Sequence, residues 1–147
     1  MPEETMGMGQ TRVSAPVRQY DPQDVSVSVD GMIITGLADG TFVNCEKNED
    51  TYVPYVGSQG EVVRAHNANA TGKITFTTDH TSPSNSYLTQ LANATRLFPC
   101  KVVDMNSDSN QSAGGSECWI VKHPNFERAG ETTEMEWEVF VADYEIL

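Results

Sequence analysis

Apolar and polar residues alternate with a period of two along several short stretches of the chain. The clearest stretch is Val25–Val29 (VSVSV), and the Asp30-Gly31 pair after it supplies the positive-φ positions of a tight hairpin. Composition agrees, since 15 Val stand against 5 Leu and β-branched side chains suit a pleated surface. The pattern therefore predicts a mainly β fold. Further strands are predicted at 32–35, 41–45, 61–65, 73–78, 98–105, 117–123 and 134–144.

One stretch has helical periodicity instead. Thr81 or Ser82 can cap its N-terminus, and Pro83 suits its first turn. The apolar stripe that follows consists of Tyr87, Leu88, Leu91 and Ala92. We therefore predict one α-helix at about residues 83–94, flanking the strands.

The last predicted strand separates two kinds of side chain. Its apolar face carries Met135, Trp137, Val139 and Val141, and its other face carries Glu134, Glu136, Glu138 and Phe140. Like charges two residues apart repel one another, so the acidic face must meet water or a cationic partner. This acidic face is either an ordinary solvated surface or the lining of a water-filled passage.

The segment 46–60 is a long excursion between two predicted strands. It is rich in Asn, Asp, Glu, Pro and Gly, with a short apolar piece formed by Tyr52, Val53, Tyr55 and Val56. Pro54 excludes this piece from a central strand, because proline cannot donate to the sheet ladder. Loops longer than about 12 residues in a compact domain are usually functional or disordered.

The length of 147 residues suits one domain. Residues 1–19 are polar, lack a sustained period and contain two glycines and Pro16, so we predict a flexible N-terminal arm before one ordered domain at 20–147. The first residues show no cationic and apolar secretory signal, which predicts maturation in a cytoplasm. Polar residues interrupt every apolar run well short of a membrane span.

The chain has 9 Lys and Arg against 21 Asp and Glu, for a net charge of −12. Affinity for phosphates comes from Lys and Arg, so this balance argues against a conventional nucleic-acid binder and against an anionic membrane surface. With 38% hydrophobic residues, the chain has enough apolar surface to fold. Six of the acids, and no base, lie between residues 131 and 145.

Motifs for catalysis or metal binding are weak. The three histidines share no metal-ligand spacing, and there is no nucleophile elbow or phosphate loop. The run Asp104-x-Asn106-x-Asp108 begins like a calcium loop, but it lacks the glycine and the glutamate that such a loop requires. Three cysteines without a CxxC pair predict buried or half-buried thiols. We expect no enzyme activity, no metal and no cofactor.

Several spaced motifs between Tyr20 and Leu88 resemble the tube proteins of contractile bacteriophage tails. They are Tyr20-Asp21-Pro22, Val25-x-Val27-x-Val29-Asp30-Gly31, Ile34-Thr35-Gly36-Leu37-Ala38-Asp39-Gly40-Thr41-Phe42, Val56-Gly57-x-x-Gly60-Glu61-Val62-x-Arg64 and Thr81-Ser82-Pro83-Ser84-Asn85. They cover about half of the chain, and their common order makes the set more specific than any one motif.

The resemblance implies an antiparallel β-barrel or sandwich with one flanking helix, related in fold to the tube protein of type VI secretion. It implies hexameric rings that stack into a tube inside the virion, assembled in the bacterial host cytoplasm. The implied partners are other copies of the chain, a tail sheath protein, baseplate and tail terminator proteins, and a tape measure protein. The resemblance further implies that DNA passes through the lumen without specific binding and that no membrane or catalysis is involved.

Two hypotheses connect the residues to this role. Because Tyr52, Val53, Tyr55 and Val56 are too apolar for a solvated loop, we expect segment 48–61, helped by residues 1–19, to pack on an adjacent subunit or ring. A ring of six copies carries −72, six times the −12 of one chain, so an acidic lumen repels DNA phosphates. The alternative function is a β-sandwich module of a virion that binds a receptor or carbohydrate.

Overall fold

The computed structural model describes residues 17–147, in which strands dominate. The strands are β1 (Val25–Val29), β2 (Met32–Ile33), β3 (Val43–Lys47), β4 (Tyr52–Val56), β5 (Val62–His66), β6 (Gly72–Asp79), β7 (Phe98–Asp104), β8 (Gln111–Ile120), β9 (Glu134–Val141) and β10 (Glu145–Ile146). A 3-10 turn, Pro22–Asp24, precedes β1, and helix α1 (Ser84–Asn93) joins β6 to β7. The predicted arm at 1–19 lies outside the described residues, except for 17–19, which are exposed.

Eight strands form one antiparallel sheet in the order β2-β1-β7-β8-β9-β6-β3, with β10 paired to β8. The order starts and ends with different strands, so the sheet is open rather than closed into a barrel. Of the two predicted forms, barrel and sandwich, the sandwich-like one is therefore correct. Within residues 17–147, strands β4 and β5 pair with each other and with no other strand, as a separate two-stranded hairpin.

The strands of the main sheet share one hydrophobic core, to which β1, β6, β7, β8 and β9 contribute buried side chains and β3 contributes half-buried ones. Trp137 of β9 is fully buried in this core. Burying a large apolar side chain stabilises the fold by about 1.5–3 kcal/mol. The buried strand residues include Val27, Val29, Ile74, Phe76, Phe98, Cys100, Val102, Cys118, Val139 and Val141.

The helix covers one side of this core. Leu88 and Leu91 are buried, as the apolar stripe predicted. Its N-cap is Pro83, which carries no capping side chain, although the Ser82 hydroxyl accepts a hydrogen bond from the Ser84 backbone N–H at 3.2 Å. The predicted helix at 83–94 is thus confirmed within one residue at each end.

The first predicted hairpin is present. Asp30 and Gly31 have φ values of 52° and 81°, which are the left-handed conformations that a two-residue turn of this kind requires. The Asp30 carboxylate accepts hydrogen bonds from Arg96 and from the Tyr87 hydroxyl. These bonds tie the turn to the helix and the segment after it, and the bond from Arg96 lowers the pKa of Asp30.

Two strands differ from the predictions by three or more residues at a boundary. A polar loop was expected at 106–116, but β8 begins at Gln111 and ends at Ile120. Gly114, at φ 148°, lies so close to β7 that a Cβ would overlap the Cys100 carbonyl oxygen. The glycines that suggested a loop instead allow close strand approach. The strand expected at 134–144 ends at Val141, because a turn separates it from β10.

Candidate functional site

The β4–β5 hairpin is the segment with the largest exposed apolar content. Its strands pair from Tyr52 opposite His66 to Val56 opposite Val62. The turn between them is closed by a hydrogen bond from the Gly57 N–H to the Glu61 carbonyl at 2.8 Å. A two-stranded ribbon on its own is only marginally stable in water.

Both faces of the hairpin are exposed. One face is wholly apolar and carries Val53, Tyr55, Val63 and Ala65. The opposite face carries Tyr52, Pro54, Val56, Val62, Arg64 and His66. Tyr55 and Val56 are 64% and 65% exposed, and Val62 is 66% exposed. No single flat contact can cover apolar groups on both faces.

The excursion predicted at 46–60 is therefore not an irregular loop. Tyr52, Val53, Tyr55 and Val56 lie on a regular strand, β4, and Pro54 fits because β4 is an edge strand with one neighbour. Strand β4 was not predicted, because the segment that contains it was interpreted as a loop. Its partner in the described part of the chain, β5, was expected as a separate strand after that loop. A proline inside a short apolar run removes the usual strand signal.

The acidic residues of β9 lie where the alternation placed them. Glu134 and Glu136 are exposed and Glu138 is half-buried, all on the outer face, while the apolar residues between them are buried. Across the pairing with β6, Glu134 is opposite Asp79, and Glu136 and Glu138 are opposite threonines. No cation in the described residues forms a salt bridge with these three glutamates.

We call Glu134, Glu136 and Glu138 the acidic stripe. The outer face of β9 continues beyond this stripe with aromatic residues. The rings of Trp119 and Phe140 stack with their centroids 4.7 Å apart, and Trp119 remains 41% exposed. Lys73, opposite Phe140, forms a salt bridge with Glu46 at 3.3 Å. The outer face of β9 and its neighbours thus has an acidic part and an aromatic part.

A third surface was not predicted as a site. A groove of about 430 Å³ lies between the 3-10 turn and the segment before β3; we call it the Leu37 groove. The segment is fixed on β6 by hydrogen bonds from the Ala38 N–H to the Thr77 carbonyl and from the Thr77 N–H to the Phe42 carbonyl. The groove is lined by Pro22, Gln23, Leu37, Ala38, Asp39, Gly40 and Phe42.

The groove was missed because it joins residues distant in sequence. Leu37 and Phe42 are only half-buried, so two large apolar side chains face an open depression. The sequence did contain a signal for the groove, because the apolar residues Leu37 and Phe42 flank Asp39-Gly40. A tight turn at Asp39-Gly40 explains that pattern equally well. Contact with Pro22 becomes visible only in the folded chain.

The residues considered for metal binding are engaged elsewhere. The three histidines each have a separate neighbour: Tyr52 for His66, Thr133 for His80 and Asn93 for His123. The Asp104 carboxylate accepts hydrogen bonds from Asn106 and from the Ser109 hydroxyl, which lower its pKa. Within residues 17–147, no three His, Cys, Asp or Glu side chains are placed to share a metal ion.

The cysteines are free thiols, as expected. Cys100 and Cys118 are buried and Cys45 is half-buried. Burial disfavours the thiolate and raises the pKa of Cys45 and of Cys118 to about 11. A thiol with so high a pKa is a poor nucleophile at neutral pH.

Comparison with known proteins identifies the family. The family model for the bacteriophage PhiTE tail tube protein matches residues 22–147. Structural protein ORF10 of Pseudomonas phage KPP10 is 31% identical over 78 residues, which is 49% of this chain and 45% of that protein. The match therefore spans less than half of that relative's length.

Solved structures share the fold at low identity. The tube-terminating cap of the anti-feeding prophage superposes with a TM-score of 0.61 at 12% identity, covering 92% of this chain and 95% of that one. The sheath/tube terminator of the extracellular contractile injection system PVC gives 0.60 at 12% identity, covering 92% and 99%. A chain of the PVC sheath-tube complex gives 0.54 at 11%, covering 88% and 91%.

Among the described residues, no helix has the length and apolar character needed to cross a membrane.

The resemblance inferred from the spaced motifs agrees with the family model, which extends through the C-terminal strands. Because that model covers most of the sequence, the chain belongs to the bacteriophage PhiTE tail tube protein family.

Proposed function

We propose that this chain self-assembles into stacked hexameric rings that form the inner tube of a contractile phage tail and conduct DNA during ejection. The observation that carries the proposal is the β4–β5 hairpin, whose two faces both expose apolar side chains. Family membership makes a tail structural role the natural use for this surface. In this proposal residues 20–147 act as one tube domain.

The hairpin is the contact between copies. Tyr52, Val53, Tyr55 and Val56 bury their exposed surface on an adjacent subunit or ring, with residues 1–19 assisting. Removing apolar surface from water contributes roughly 25 cal/mol per Å², so several such side chains in each copy supply a substantial driving force. Because every copy both gives and receives a hairpin, the contact repeats along the tube.

The acidic stripe lines the lumen. Glu134, Glu136 and Glu138 project from the outer face of a regular sheet and have no salt-bridge partner in the described residues. Repeated around a ring, these carboxylates repel the phosphates of DNA, so the passenger slides without adhering. The lumen therefore carries DNA and a tape measure protein with no specific binding to DNA.

The other proposed partners surround the tube. The structural neighbours include a tube terminator cap, a sheath/tube terminator and a sheath-tube complex of contractile systems. By analogy, a tail sheath protein covers the outside, and terminator and baseplate proteins close the ends. The chain assembles in the bacterial host cytoplasm and remains in the virion as a structural component without enzyme activity.

Deletion of Thr51–Val56 tests the proposal. The variant should give a folded monomer that does not polymerise, because the hairpin contributes no residue to the core. Circular dichroism checks the fold, and sedimentation with electron microscopy measures polymers. A matched variant, Val53→Ser with Tyr55→Ser, keeps the chain length and should lose polymers as well. Normal tubes from either variant would refute the assignment of the hairpin.

A further inference from the structure

We infer that the Leu37 groove of one copy receives the β4–β5 hairpin of a copy in the next ring. This inference rests on the proposed function, in which the hairpin packs on another copy. It adds the receiving surface, which neither the motifs nor the comparisons specify. Three features support it: the positions of the two surfaces on the fold, their apolar character and their charges.

The hairpin and the groove lie at opposite ends of the same two strands. The hairpin links the end of β3 at Lys47 to the start of β6 at Gly72, and these two residues are paired. The groove segment precedes β3 and bonds to Thr77 near the end of β6. At about 3.3 Å per residue, the five-residue step along β6 from Gly72 to Thr77 separates the two anchor points by roughly 17 Å.

This arrangement gives a head-to-tail contact. A hairpin at one end of a chain and its receptor at the other end make a heterologous interface, which continues from copy to copy rather than closing as a pair. A dimer with two-fold symmetry would need the same patch on both partners. Stacked rings require such a repeating contact along the tube axis.

The two surfaces have complementary chemistry. The groove offers Leu37 and Phe42, both half-buried, with Pro22 on its opposite side. The hairpin offers rigid, exposed apolar side chains, of which Tyr55 is the largest at 64% exposure. Aromatic anchors in apolar pockets dominate binding energy at protein interfaces. A Tyr55 ring between Leu37 and Phe42 therefore fits the composition of both partners.

The charges also match. Arg64 lies on the face of the hairpin opposite Tyr55, so the hairpin enters the groove edge-on, with Tyr55 toward Leu37 and Phe42 and Arg64 toward Asp39. Asp39 is the one charged residue that lines the groove among the described residues, and it is exposed without a salt bridge there. On the hairpin, the Arg64 guanidinium carbon lies 4.1 Å from the Tyr52 ring centroid and forms no salt bridge in the described part of the chain. Opposite charges at a contact favour the correct partner and orientation.

Charge reversal tests the pairing directly. Asp39→Arg alone and Arg64→Asp alone each place two like charges at the contact, so each should raise the critical concentration for polymerisation by about tenfold or more. The double variant Asp39→Arg/Arg64→Asp restores opposite charges, and its critical concentration should return to within about twofold of the wild-type value. Light scattering and electron microscopy of the full chain give these values.

Two controls make the result specific. Glu131→Arg and Arg128→Asp make the same changes of charge at exposed positions outside the groove and the hairpin, and they should leave the critical concentration unchanged. Circular dichroism confirms that each variant folds. If the single reversals have no effect, or if the double variant is as defective as the singles, the pairing is overturned.

A crosslink identifies the receiving surface independently of charge. Ala38→Cys, in the groove lining, with Val63→Cys, beside Tyr55 on the hairpin, keeps Leu37 and Tyr55 in place and under an added oxidant should form disulfide-linked ladders between copies, whereas Ala38→Cys alone should not. If ladders form but the double variant Asp39→Arg/Arg64→Asp does not recover polymerisation, the groove is supported as the receiving surface and the Asp39–Arg64 pair is overturned. If the Thr51–Val56 deletion blocks polymers but no ladders form, the groove is wrong and the proposed function stands. A wild-type chain that never polymerises overturns both.

Discussion

The guanidinium of Arg64 lies over the ring of Tyr52, 4.1 Å from its centroid, and the edge of His66 approaches the same ring at a centroid distance of 5.4 Å. These contacts order one face of a hairpin that touches little else in the chain. In the proposed contact, the hairpin is thereby held in one shape before it meets a partner, which reduces the entropy lost on assembly.

Replacing Tyr52 tests this ordering. Tyr52→Ser removes the ring that Arg64 and His66 contact, so the hairpin amides should exchange hydrogen faster, by a factor that corresponds to about 1 kcal/mol. Amides of β6 should keep their protection, because the core is unchanged. Tyr55→Ser, on the opposite face, is the matched control and should alter hairpin exchange less in the monomer. Equal effects of the two substitutions would contradict the ordering role of Tyr52.

The two faces of β9 should respond very differently to substitution. Trp137→Ala leaves a cavity at the centre of the core and should lower the free energy of unfolding by about 3–5 kcal/mol. Glu136→Ala, one residue away on the outer face, should change it by less than about 0.5 kcal/mol. Urea denaturation of the monomeric hairpin deletion provides both values. A large loss from Glu136→Ala would show that the outer face is packed within the monomer.

Asn85 supports the core through its side-chain amide. Its Oδ1 accepts hydrogen bonds from the Thr78 hydroxyl at 2.6 Å and from Trp137 Nε1 at 3.3 Å, and its Nδ2 donates to the Asp79 carbonyl at 2.9 Å. Asn85→Ala leaves buried polar groups unsatisfied and should cost about 1–3 kcal/mol of unfolding free energy. Ser86→Ala, on the exposed side of the helix, should cost far less. Comparable losses of unfolding free energy from Asn85→Ala and Ser86→Ala would contradict a stabilising role for this hydrogen-bond network.

The corner between β9 and β10 should make stability depend on acid. The Asp143 carboxylate accepts hydrogen bonds from the Ser116 N–H, the Ser116 hydroxyl and the Glu117 N–H, and these bonds lower its pKa from the ordinary value of 3.8. Because the folded pKa is lowered, the stabilisation is complete above pH 3.8 and is lost as the pH falls through the folded pKa.

Asp143→Asn should therefore be less stable than the wild type at pH 7, and the difference should shrink as the pH falls below about 4. Urea midpoints measured from pH 7 to pH 2 test this expectation. Glu145→Gln, at an exposed position on β10 outside these hydrogen bonds, serves as the matched control. A constant difference between Asp143→Asn and the wild type across this range would contradict the assigned cause.

The acidic stripe makes a prediction about assembled tubes. Wild-type tubes should not retain DNA, whereas tubes of Glu134→Lys/Glu136→Lys/Glu138→Lys should retain it and release it as salt increases. Co-sedimentation with short DNA at several salt concentrations measures this retention. The map of surface potential from an assembled tube gives a second check, since a basic lumen in the wild type would contradict the role of the stripe.

The sequence predicted the parts of the fold that depend on local alternation. The two faces of β9 followed from its strict period of two, and the first hairpin followed from Asp30-Gly31. The helix followed from the spacing of Leu88 and Leu91. In each case the residues that determine the structure are close in sequence and act through backbone preference or burial on one face.

The parts that were missed depend on contacts between distant segments. Pro54 obscured a strand that exists only through its pairing with residues 62–66. The glycines near Gly114 indicated a loop, although the absence of side chains lets β8 approach β7 there. The Leu37 groove needs Pro22 beside a segment that begins at 37, which no local pattern specifies. Contacts between segments that are distant in sequence determine all three features.

Cryo-electron microscopy of tubes from the purified full-length chain tests the central claim most directly. The account predicts stacked six-fold rings in which the β4–β5 hairpin is buried at the junction between rings and Glu134, Glu136 and Glu138 face the lumen. Monomers or small closed oligomers at concentrations where tail proteins assemble would contradict it. So would a tube in which the hairpin remains exposed to solvent.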